Sequence, residues 1–321
     1  MNILIIGGAG FLGANMVRRC LKEPGVRVTV LDSLDPHLHA STRTLSEVWD
    51  RIRFVRGDIR DETLLAEIVQ GQDVIFNCAA QTSHPLSIQY PLLDAEINCL
   101  GNLKLLESIR LLNRKARVVY TSSSTVIGKA LTEVVDEDHW ERPLEIYSAN
   151  KGVAEKYYRI YHTLHDLDTV VLRFANLYGA YGKGHPEFGF INYFIQLAWA
   201  GEEIKIFGSG EQMRNVLFAD DAVEILWRAA HAPALVGESW FATGDEHLSV
   251  AEIARKIVEI FGRGRVTHVE WPEERKRIEI DHVLFSSDRL RSMVEWHPGH
   301  TMETGLHLVK EILERQERGR R

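Results

Sequence analysis

The feature that most constrains the fold is a glycine-rich turn near the start of the chain. Gly7, Gly10 and Gly13 follow the apolar run Ile3–Ile6 and lead into the helical pattern Phe11–Leu21. Glycines at this spacing allow a tight turn, a close approach of the backbone to a pyrophosphate, and close packing of helix on strand. The amide groups at the helix N-terminus then face the anion. A strand, a glycine turn and a helix in this order predict a dinucleotide-binding unit.

Strand-like and helix-like segments alternate through the first half of the chain. The strand-like segments are short apolar runs rich in β-branched residues, which suit strands buried on both faces of a sheet. Six such runs lie at Ile3–Ile6, Val28–Leu31, Ile52–Val55, Val74–Asn77, Val118–Thr121 and Thr169–Arg173. Helical patterns lie between them at Phe11–Leu21, Glu62–Val69, Leu92–Leu112 and Tyr147–His165. This alternation predicts an α/β fold with a doubly wound parallel sheet of the Rossmann type.

The pattern changes after Tyr178, where the glycine-rich stretch Gly179–Gly189 is typical of a loop. We expect residues 1–178 to form the cofactor-binding domain. Residues 179–321 are expected to form mainly a smaller substrate-binding lobe. Strand-like runs at Asn215–Phe218 and Glu238–Phe241 predict that parts of residues 215–241 complete the main sheet.

The composition narrows the classes of partner and compartment. The 321 residues carry a formal net charge of −7 and no basic stripe, so nucleic acid is not an expected partner. The three cysteines, Cys20, Cys78 and Cys99, lack the spacing of a disulfide framework or a zinc site. No apolar run approaches the roughly 18 residues that a membrane span requires. We therefore expect a soluble cytoplasmic protein with neither a metal centre nor a membrane partner.

Two acidic residues lie at the carboxyl ends of predicted strands, the same end of the sheet at which the glycine turn lies. Asp32 ends the second strand, about 20 residues after Gly13, where an acid binds the ribose hydroxyls of a dinucleotide. A carboxylate there repels a 2′-phosphate, which favours NAD over NADP; the alternative for Asp32 is an ordinary turn residue. Asp58 follows the third strand and either faces the adenine or caps the helix that begins near Glu62.

Tyr147 and Lys151 are spaced so that both side chains share one face of a helix. An ammonium beside a phenol favours the phenolate, so we expect Lys151 to make Tyr147 a usable base near neutral pH. Taken alone, such a pair also fits an ordinary amphipathic helix surface. The fifth predicted strand ends in a hydroxyl-rich segment that includes Ser123, Ser124 and Thr125, at the edge where a doubly wound sheet binds its ligand.

Together these motifs resemble the extended short-chain dehydrogenase/reductase family, and within it the NAD-dependent nucleotide-sugar epimerases and dehydratases. The resemblance covers nearly the whole chain. Further segments that carry it are Asn77-Cys78-Ala79-Ala80, Asn98-x-x-Gly101, Leu172–Gly179, Phe207–Arg214 and Trp296-x-Pro298.

The resemblance implies roles for individual residues. It implies that Tyr147 is the general base, that Lys151 binds the nicotinamide ribose, and that Ser123 binds the reacting sugar hydroxyl. The implied NAD-binding residues are Gly7, Gly10, Phe11, Leu12, Gly13, Asp32, Ser33, Asp58, Ile59, Ala79, Ala80, Asn98, Tyr147 and Lys151. The implied substrate-binding residues are Ser87, Ser123, Ser124, Thr125, Asn176 and Arg214. The alternative for Arg214 is a surface ion pair with Asp220 or Asp221.

The resemblance also distinguishes between reactions at Ser123-Ser124-Thr125. The 4,6-dehydratases similar to this chain carry Asp and Glu at the last two positions, and the sugar-acid decarboxylases carry Glu at the third. Hydroxyls at these positions resemble the UDP-glucose 4-epimerase subset, so we expect NAD-dependent epimerisation of a nucleotide-diphosphate sugar at C4. The alternatives are a CDP-deoxysugar 2-epimerase, which the segment Asp94–Asn98 resembles, an NAD(P)H-dependent nucleotide-sugar reductase, and a binding protein without turnover. The family further implies a homodimer.

Overall fold

A computed structural model describes residues 1–273, 276 and 282–318. The strands are β1 (Asn2–Ile6), β2 (Arg27–Asp32), β3 (Ile52–Arg56), β4 (Val74–Asn77), β5 (Arg117–Ser123), β6 (Val134–Val135), β7 (Thr169–Phe174), β8 (Asn176–Tyr178), β9 (Glu203–Phe207), β10 (Met213–Phe218), β11 (Ser239–Ala242), β12 (Glu246–Ser249), β13 (Arg265–Val269) and β14 (Leu284–Phe285). The helices are α1 (Phe11–Cys20), α2 (Glu62–Ile68), α3 (His84–Gln89), α4 (Pro91–Ala95), α5 (Gly101–Leu112), α6 (Ile146–His165), α7 (Phe190–Ala200), α8 (Ala219–Ala229), α9 (Val250–Phe261), α10 (Asp288–Met293) and α11 (Met302–Arg318).

The central sheet has seven parallel strands in the order β11-β7-β5-β4-β1-β2-β3. The chain moves outward from β1 in one direction and returns to pair β4 with the other side of β1. Such a switch point between neighbouring strands opens a crevice at their carboxyl ends. The predicted α/β fold of the Rossmann type is therefore confirmed.

Both faces of this sheet are covered, which explains why its strands are apolar throughout. Ile3 and Ile5 of β1 pack in a cluster with residues of α1 and α8 on one face. Leu4 and Ile6, which alternate with them, pack with residues of α2, α5 and α6 on the other.

The residues after Tyr178 contribute to two layers of structure. Strand β11 extends the central sheet beside β7, with Trp240 opposite Leu172. Helices α7, α9 and α11 instead share a separate apolar cluster with β9 and β10. We propose that residues 1–178, with β11, form the cofactor-binding domain and that residues 179–321 form mainly the substrate-binding lobe. No helix of the described residues is long and apolar enough to span a membrane.

Some elements differ from the sequence-based expectation. The single helix expected over Leu92–Leu112 is interrupted, because Glu96–Leu100 forms a π-helical turn between α4 and α5. Such turns occur frequently at functional sites. Helix α3 and the 3-10 segment Thr42–Arg51 were not predicted, since neither has a long apolar period.

Candidate active site

A large cavity opens at the carboxyl ends of the central strands and collects most of the predicted site residues. Its wall includes the end of β1 at Ile6 and the end of β5 at Ser123. The predicted residues on the wall are Gly7, Gly10, Phe11, Leu12, Gly13, Asp32, Ser33, Asp58, Ile59, Ala79, Ala80, Ser123, Ser124, Thr125, Tyr147, Lys151 and Asn176.

The glycine turn is built so that only glycine fits its tightest points. Gly7 has a φ of +76°, and its carbonyl oxygen accepts a hydrogen bond from the Gly10 amide at 3.0 Å. A Cβ atom on Gly13 would lie 2.1 Å from that same oxygen. Helix α1 begins at Phe11 without a side-chain cap, so its first amides remain available to an anion at the cavity. The turn fits the diphosphate of a dinucleotide.

Asp32 is held at the cavity by backbone amides. Its two carboxylate oxygens accept hydrogen bonds from the amides of Ala9 and Leu34, each at 2.9 Å. Burial raises the pKa of Asp32, and the two amides and the nearby Lys183 act in the opposite direction. The position fits an acceptor for ribose hydroxyls.

Asp58 also lies on the cavity wall, and the structure answers the question that its sequence left open. The cap of α2 is Asp61, whose carboxylate accepts a hydrogen bond from the Leu64 amide at 3.1 Å. Asp58 instead forms an ion pair with Arg60 at 2.8 Å, and this neighbour holds the pKa of Asp58 below its usual value despite burial. The alternative reading of Asp58 as the helix cap is therefore wrong.

Lys183 is a wall residue that sequence reasoning missed. It lies in the loop after β8, and its charge interacts with those of Asp32 and Asp35. Burial lowers the pKa of Lys183 to about 8, against the raising influence of the two acids. Nothing in the local sequence Gly182-Lys183-Gly184 marks this lysine, because its partners lie far away in the chain.

Tyr147 and Lys151 enter the cavity from the first turns of α6. The Lys151 ammonium donates a hydrogen bond to the Thr121 carbonyl oxygen at 2.6 Å and lies 4.2 Å from the centre of the Tyr120 ring. Burial lowers the pKa of Lys151 to about 7, although Glu155 opposes this change. The side chain of Lys151 is therefore fixed beneath the end of β5.

The pKa of Tyr147 is displaced in the direction opposite to our expectation. Burial raises it, the nearby Glu145 carboxylate raises it further, and Ser123 opposes the rise. Lys151 does not contribute the lowering of the Tyr147 pKa that we expected. Its ammonium is directed at the Thr121 carbonyl oxygen. Burial and Glu145 therefore outweigh the effect on Tyr147 that we expected of Lys151, and the role of Tyr147 as a base near neutral pH stays a prediction.

The hydroxyl-rich end of β5 is held in position by hydrogen bonds, including one to a buried side chain. Ser123 Oγ lies 2.9 Å from Thr125 Oγ1, and Ser122 Oγ donates a hydrogen bond to the buried Glu155. The guanidinium of Arg173 donates three hydrogen bonds to Glu155, at 2.7 Å, 3.0 Å and 3.1 Å. This buried network fixes the backbone from which the hydroxyls reach the cavity.

Asn98 lies behind the cavity wall and holds it in place. Its amide exchanges hydrogen bonds with the Gln81 backbone, at 3.0 Å from the Gln81 amide and 2.8 Å to the Gln81 carbonyl. Asp94 is fully buried and accepts hydrogen bonds from Gln81, Asn98 and Asn150. Asn98 thus connects the loop after β4 to the helix that carries Lys151, which agrees with a supporting role.

Ser87 and Arg214 are not part of this wall. Ser87 is fully buried and its hydroxyl donates a hydrogen bond to the His84 carbonyl at 2.8 Å, so it holds α3 together. Its expected contact with the substrate is not supported by this position. Arg214 lies on β10, where Nη1 donates to the Met213 carbonyl at 2.8 Å. Asp221, one of its alternative partners, accepts hydrogen bonds from Gly299 and His300 instead.

His84 and Glu145 form a pair beside Tyr147 that sequence reasoning also missed. His84 Nδ1 is hydrogen-bonded to Glu145 Oε1, and the His84 and Tyr147 ring centres are 4.8 Å apart. The two residues belong to α3 and to the position just before α6, so no local pattern joins them.

Elsewhere, His39, His185 and Glu187 bring their ligand atoms within 4.8 Å of one another, but His39 is exposed, and the absence of a metal centre stays a prediction.

The chain is similar to known proteins over nearly its whole length. The family model described as NAD dependent epimerase/dehydratase family matches residues 3–240. The chain is 31% identical to a UDP-glucose 4-epimerase of Mycolicibacterium smegmatis, over 95% of this chain and 96% of that protein. It is 26% identical to a CDP-paratose 2-epimerase of Salmonella typhi, over 95% and 97% of the two chains.

A solved structure that is similar to this chain contains NAD. The dTDP-glucose 4,6-dehydratase DesIV of Streptomyces venezuelae, crystallised with NAD and TYD bound, is 27% identical and superposes with a TM-score of 0.89 over 99% of this chain and 98% of that one. Because the family model spans most of the chain and the glycine turn and Asp32 fit the cofactor, the protein belongs to the NAD-dependent epimerase/dehydratase family and takes NAD as its cofactor.

Proposed function

We propose that the protein epimerises a nucleotide-diphosphate sugar at C4 through a transient 4-keto sugar. The observation that carries this proposal is the cavity wall formed by Ser123, Ser124 and Thr125 next to Tyr147. This segment presents hydroxyls where the dehydratases and decarboxylases of the family carry acids. The remaining chemistry needs only a base, a hydride acceptor and a way to hold the sugar.

Each of four residues has its own role in this proposed reaction. Tyr147 accepts the proton of the sugar 4-hydroxyl and returns it after the sugar has turned over. Ser123 donates a hydrogen bond to the same oxygen, and Lys151 holds the nicotinamide ribose. Bound NAD supplies the hydride acceptor together with a positive charge that favours the phenolate of Tyr147. Asn176 on β8 lies on the wall of the same cavity and binds the sugar.

A second candidate is epimerisation at C2 of a CDP-linked deoxysugar. The Salmonella typhi relative, a CDP-paratose 2-epimerase matched over nearly its whole length, favours this candidate. The same cavity serves both reactions, because only the orientation of the sugar differs. The third candidate, an NAD(P)H-dependent reductase, must release its cofactor, whereas an epimerase keeps it.

The deciding experiment incubates the purified protein with UDP-, dTDP-, CDP- and GDP-sugars without added cofactor and identifies products by proton NMR. Inversion at C4 of one sugar is the expected result. Inversion at C2 would replace the first candidate with the second. A product that forms only with added NADH or NADPH would establish the reductase.

We also propose a homodimer built on α5 and α6. Apolar side chains that are exposed in the single chain cluster on these helices and on the turn before them: Leu100, Leu111, Leu112, Val153, Ile160 and Leu164. Symmetric dimers bury such faces against each other. A monomeric mass at micromolar concentration would contradict this proposal. The cytoplasmic location stays a prediction, which the unpaired Cys20, Cys78 and Cys99 support.

A further inference from the structure

Glu145 is a buried carboxylate that is hydrogen-bonded to His84, a residue of the cavity wall. Its side chain is 8% exposed, and Oε1 is hydrogen-bonded to His84 Nδ1 and to Ser148 Oγ, the latter at 3.0 Å. The second oxygen, Oε2, has no hydrogen-bond partner among the described residues. An acid in this position fixes the imidazole of His84 by its Nδ1 nitrogen.

The other nitrogen of His84 is available to a ligand. Nε2 has no hydrogen-bond partner within the described part of the chain, and the side chain is 41% exposed. His84 lies on the wall of the same cavity as Tyr147, and the two rings meet at 57°. The partly exposed imidazole therefore faces the space in which Tyr147 acts.

A carboxylate that accepts the Nδ1 proton selects the tautomer in which Nε2 carries a lone pair. This is the arrangement by which acids orient histidine bases in hydrolases. An ion pair that only tied α3 to α6 would not need its histidine on the cavity wall.

We propose that His84, oriented by Glu145, is a second general base that removes and returns a proton at a carbon next to the ketone of the bound sugar. The proposal rests on the proposed function, because it needs the keto sugar formed by oxidation at C4. It adds an activity that a simple 4-epimerase lacks, namely exchange of a carbon-bound hydrogen at C3 or C5 with solvent.

The proton balance is simple. NAD, when bound, would accept the hydride that C4 loses on oxidation, and Tyr147 takes the proton of the C4 hydroxyl. His84 Nε2 then takes the proton of the neighbouring C–H, and the electron pair of that bond forms an enolate whose oxygen accepts hydrogen bonds from Tyr147 and Ser123. The imidazolium exchanges its proton with water and returns one to the carbon. Reduction at C4 by the bound cofactor would then complete the cycle, with Tyr147 returning its proton to the C4 oxygen. No further oxidant or reductant is needed.

The test repeats the sugar panel in deuterium oxide. A hydride that leaves C4 and returns brings no solvent deuterium to any carbon, so deuterium at C3 or C5 reports the second base. We expect such deuterium in the sugar that is inverted at C4. In His84→Asn, whose amide still reaches Glu145 but cannot accept a proton, the ratio of carbon exchange to C4 inversion should fall by about 10²-fold or more. In Glu145→Gln, which presents an amide to His84, the ratio should fall in the same direction.

His231→Asn is the matched control, because His231 lies on the outer surface after α8 and is hydrogen-bonded to the Trp227 carbonyl. It should leave the ratio unchanged. Inversion at C4 without deuterium on any ring carbon would overturn the second base and leave the proposed function standing. Undiminished exchange in His84→Asn that retains its NAD would also overturn it. Deuterium at C3 or C5 without inversion at C4 would support the base and reject C4 epimerisation as the overall reaction.

Discussion

The Lys151 ammonium and the Thr121 carbonyl oxygen are joined by a 2.6 Å hydrogen bond beneath the mouth of the cavity. Lys151 is only 2% exposed, and its burial lowers its pKa from 10.5 to about 7. A buried ammonium lowers the free energy of unfolding, and a lysine with a structural role at the surface would not have this cost. We propose that binding of the nicotinamide ribose is the reason for a lysine at this buried position.

Lys151→Met is therefore expected to remove turnover while making the fold more stable at pH 7, by at least about 1 kcal/mol. Between pH 7 and 10.5 the unfolded chain binds the lysine proton more readily than the folded chain does, so this group makes stability rise with pH across that window. Denaturant unfolding at pH 7 and pH 10 measures both effects. Lys156→Met, at a more exposed position of α6, should show neither a gain at pH 7 nor a changed pH slope.

Tyr147→Phe tests the base directly. The ring keeps its packing, and only the hydroxyl that accepts the sugar proton is lost. Turnover should fall by about 10²–10⁴-fold, the usual contribution of a general base. Tyr157→Phe is the control on the same helix, where the hydroxyl contacts Cys99 Sγ at 3.6 Å, and it should retain activity. Comparable activity in the two variants would reject the role of Tyr147.

Asp32→Ser tests the preference for NAD. A hydrogen bond to a charged group contributes about 1.5–3 kcal/mol, so NAD affinity should fall by about 10–100-fold. Loss of the carboxylate removes its repulsion of a 2′-phosphate and leaves Lys183 without the opposing charge of Asp32, so NADP should bind better than before. Fluorescence titration with both cofactors measures the ratio. Asp50→Ser changes an exposed acid outside the cavity wall and should leave the ratio unchanged.

The sequence was sufficient for the sheet because its six predicted strands are continuous apolar runs between clear breaks, and all six are present. The glycine turn and the hydroxyl end of β5 were equally predictable, since each is a local pattern in a fixed place. Helix α3 was not, because six residues that include a proline show no helical period. The pairing of Glu145 with His84 was also beyond reach, since 61 residues separate them and only the packing of α3 beside α6 unites them.

Electrostatics was the least predictable part of the site. The spacing of Tyr147 and Lys151 correctly indicates one helix face, but it does not reveal where the ammonium points. That direction depends on the Thr121 carbonyl, which a different element supplies. Burial, which raises the pKa of Tyr147 and lowers that of Lys151, is likewise a property of the assembled layers.

The ion pair of Arg173 with Glu155 supports the site from within the core, and breaking it should destabilise the whole fold. Both side chains are nearly inaccessible to solvent, at 5% and 3%. Glu155→Ala removes the most buried acidic partner of the Arg173 guanidinium and leaves it the ion pair with Glu141, so we expect a loss of about 3–5 kcal/mol in the free energy of unfolding. Replacing both members, in Arg173→Met with Glu155→Leu, should recover much of this loss because no unpaired charge remains. Glu311→Ala, which breaks an exposed pair with Arg315, should change the free energy by less than about 1 kcal/mol. A double variant as unstable as Glu155→Ala would show that the loss comes from packing and not from the buried charge.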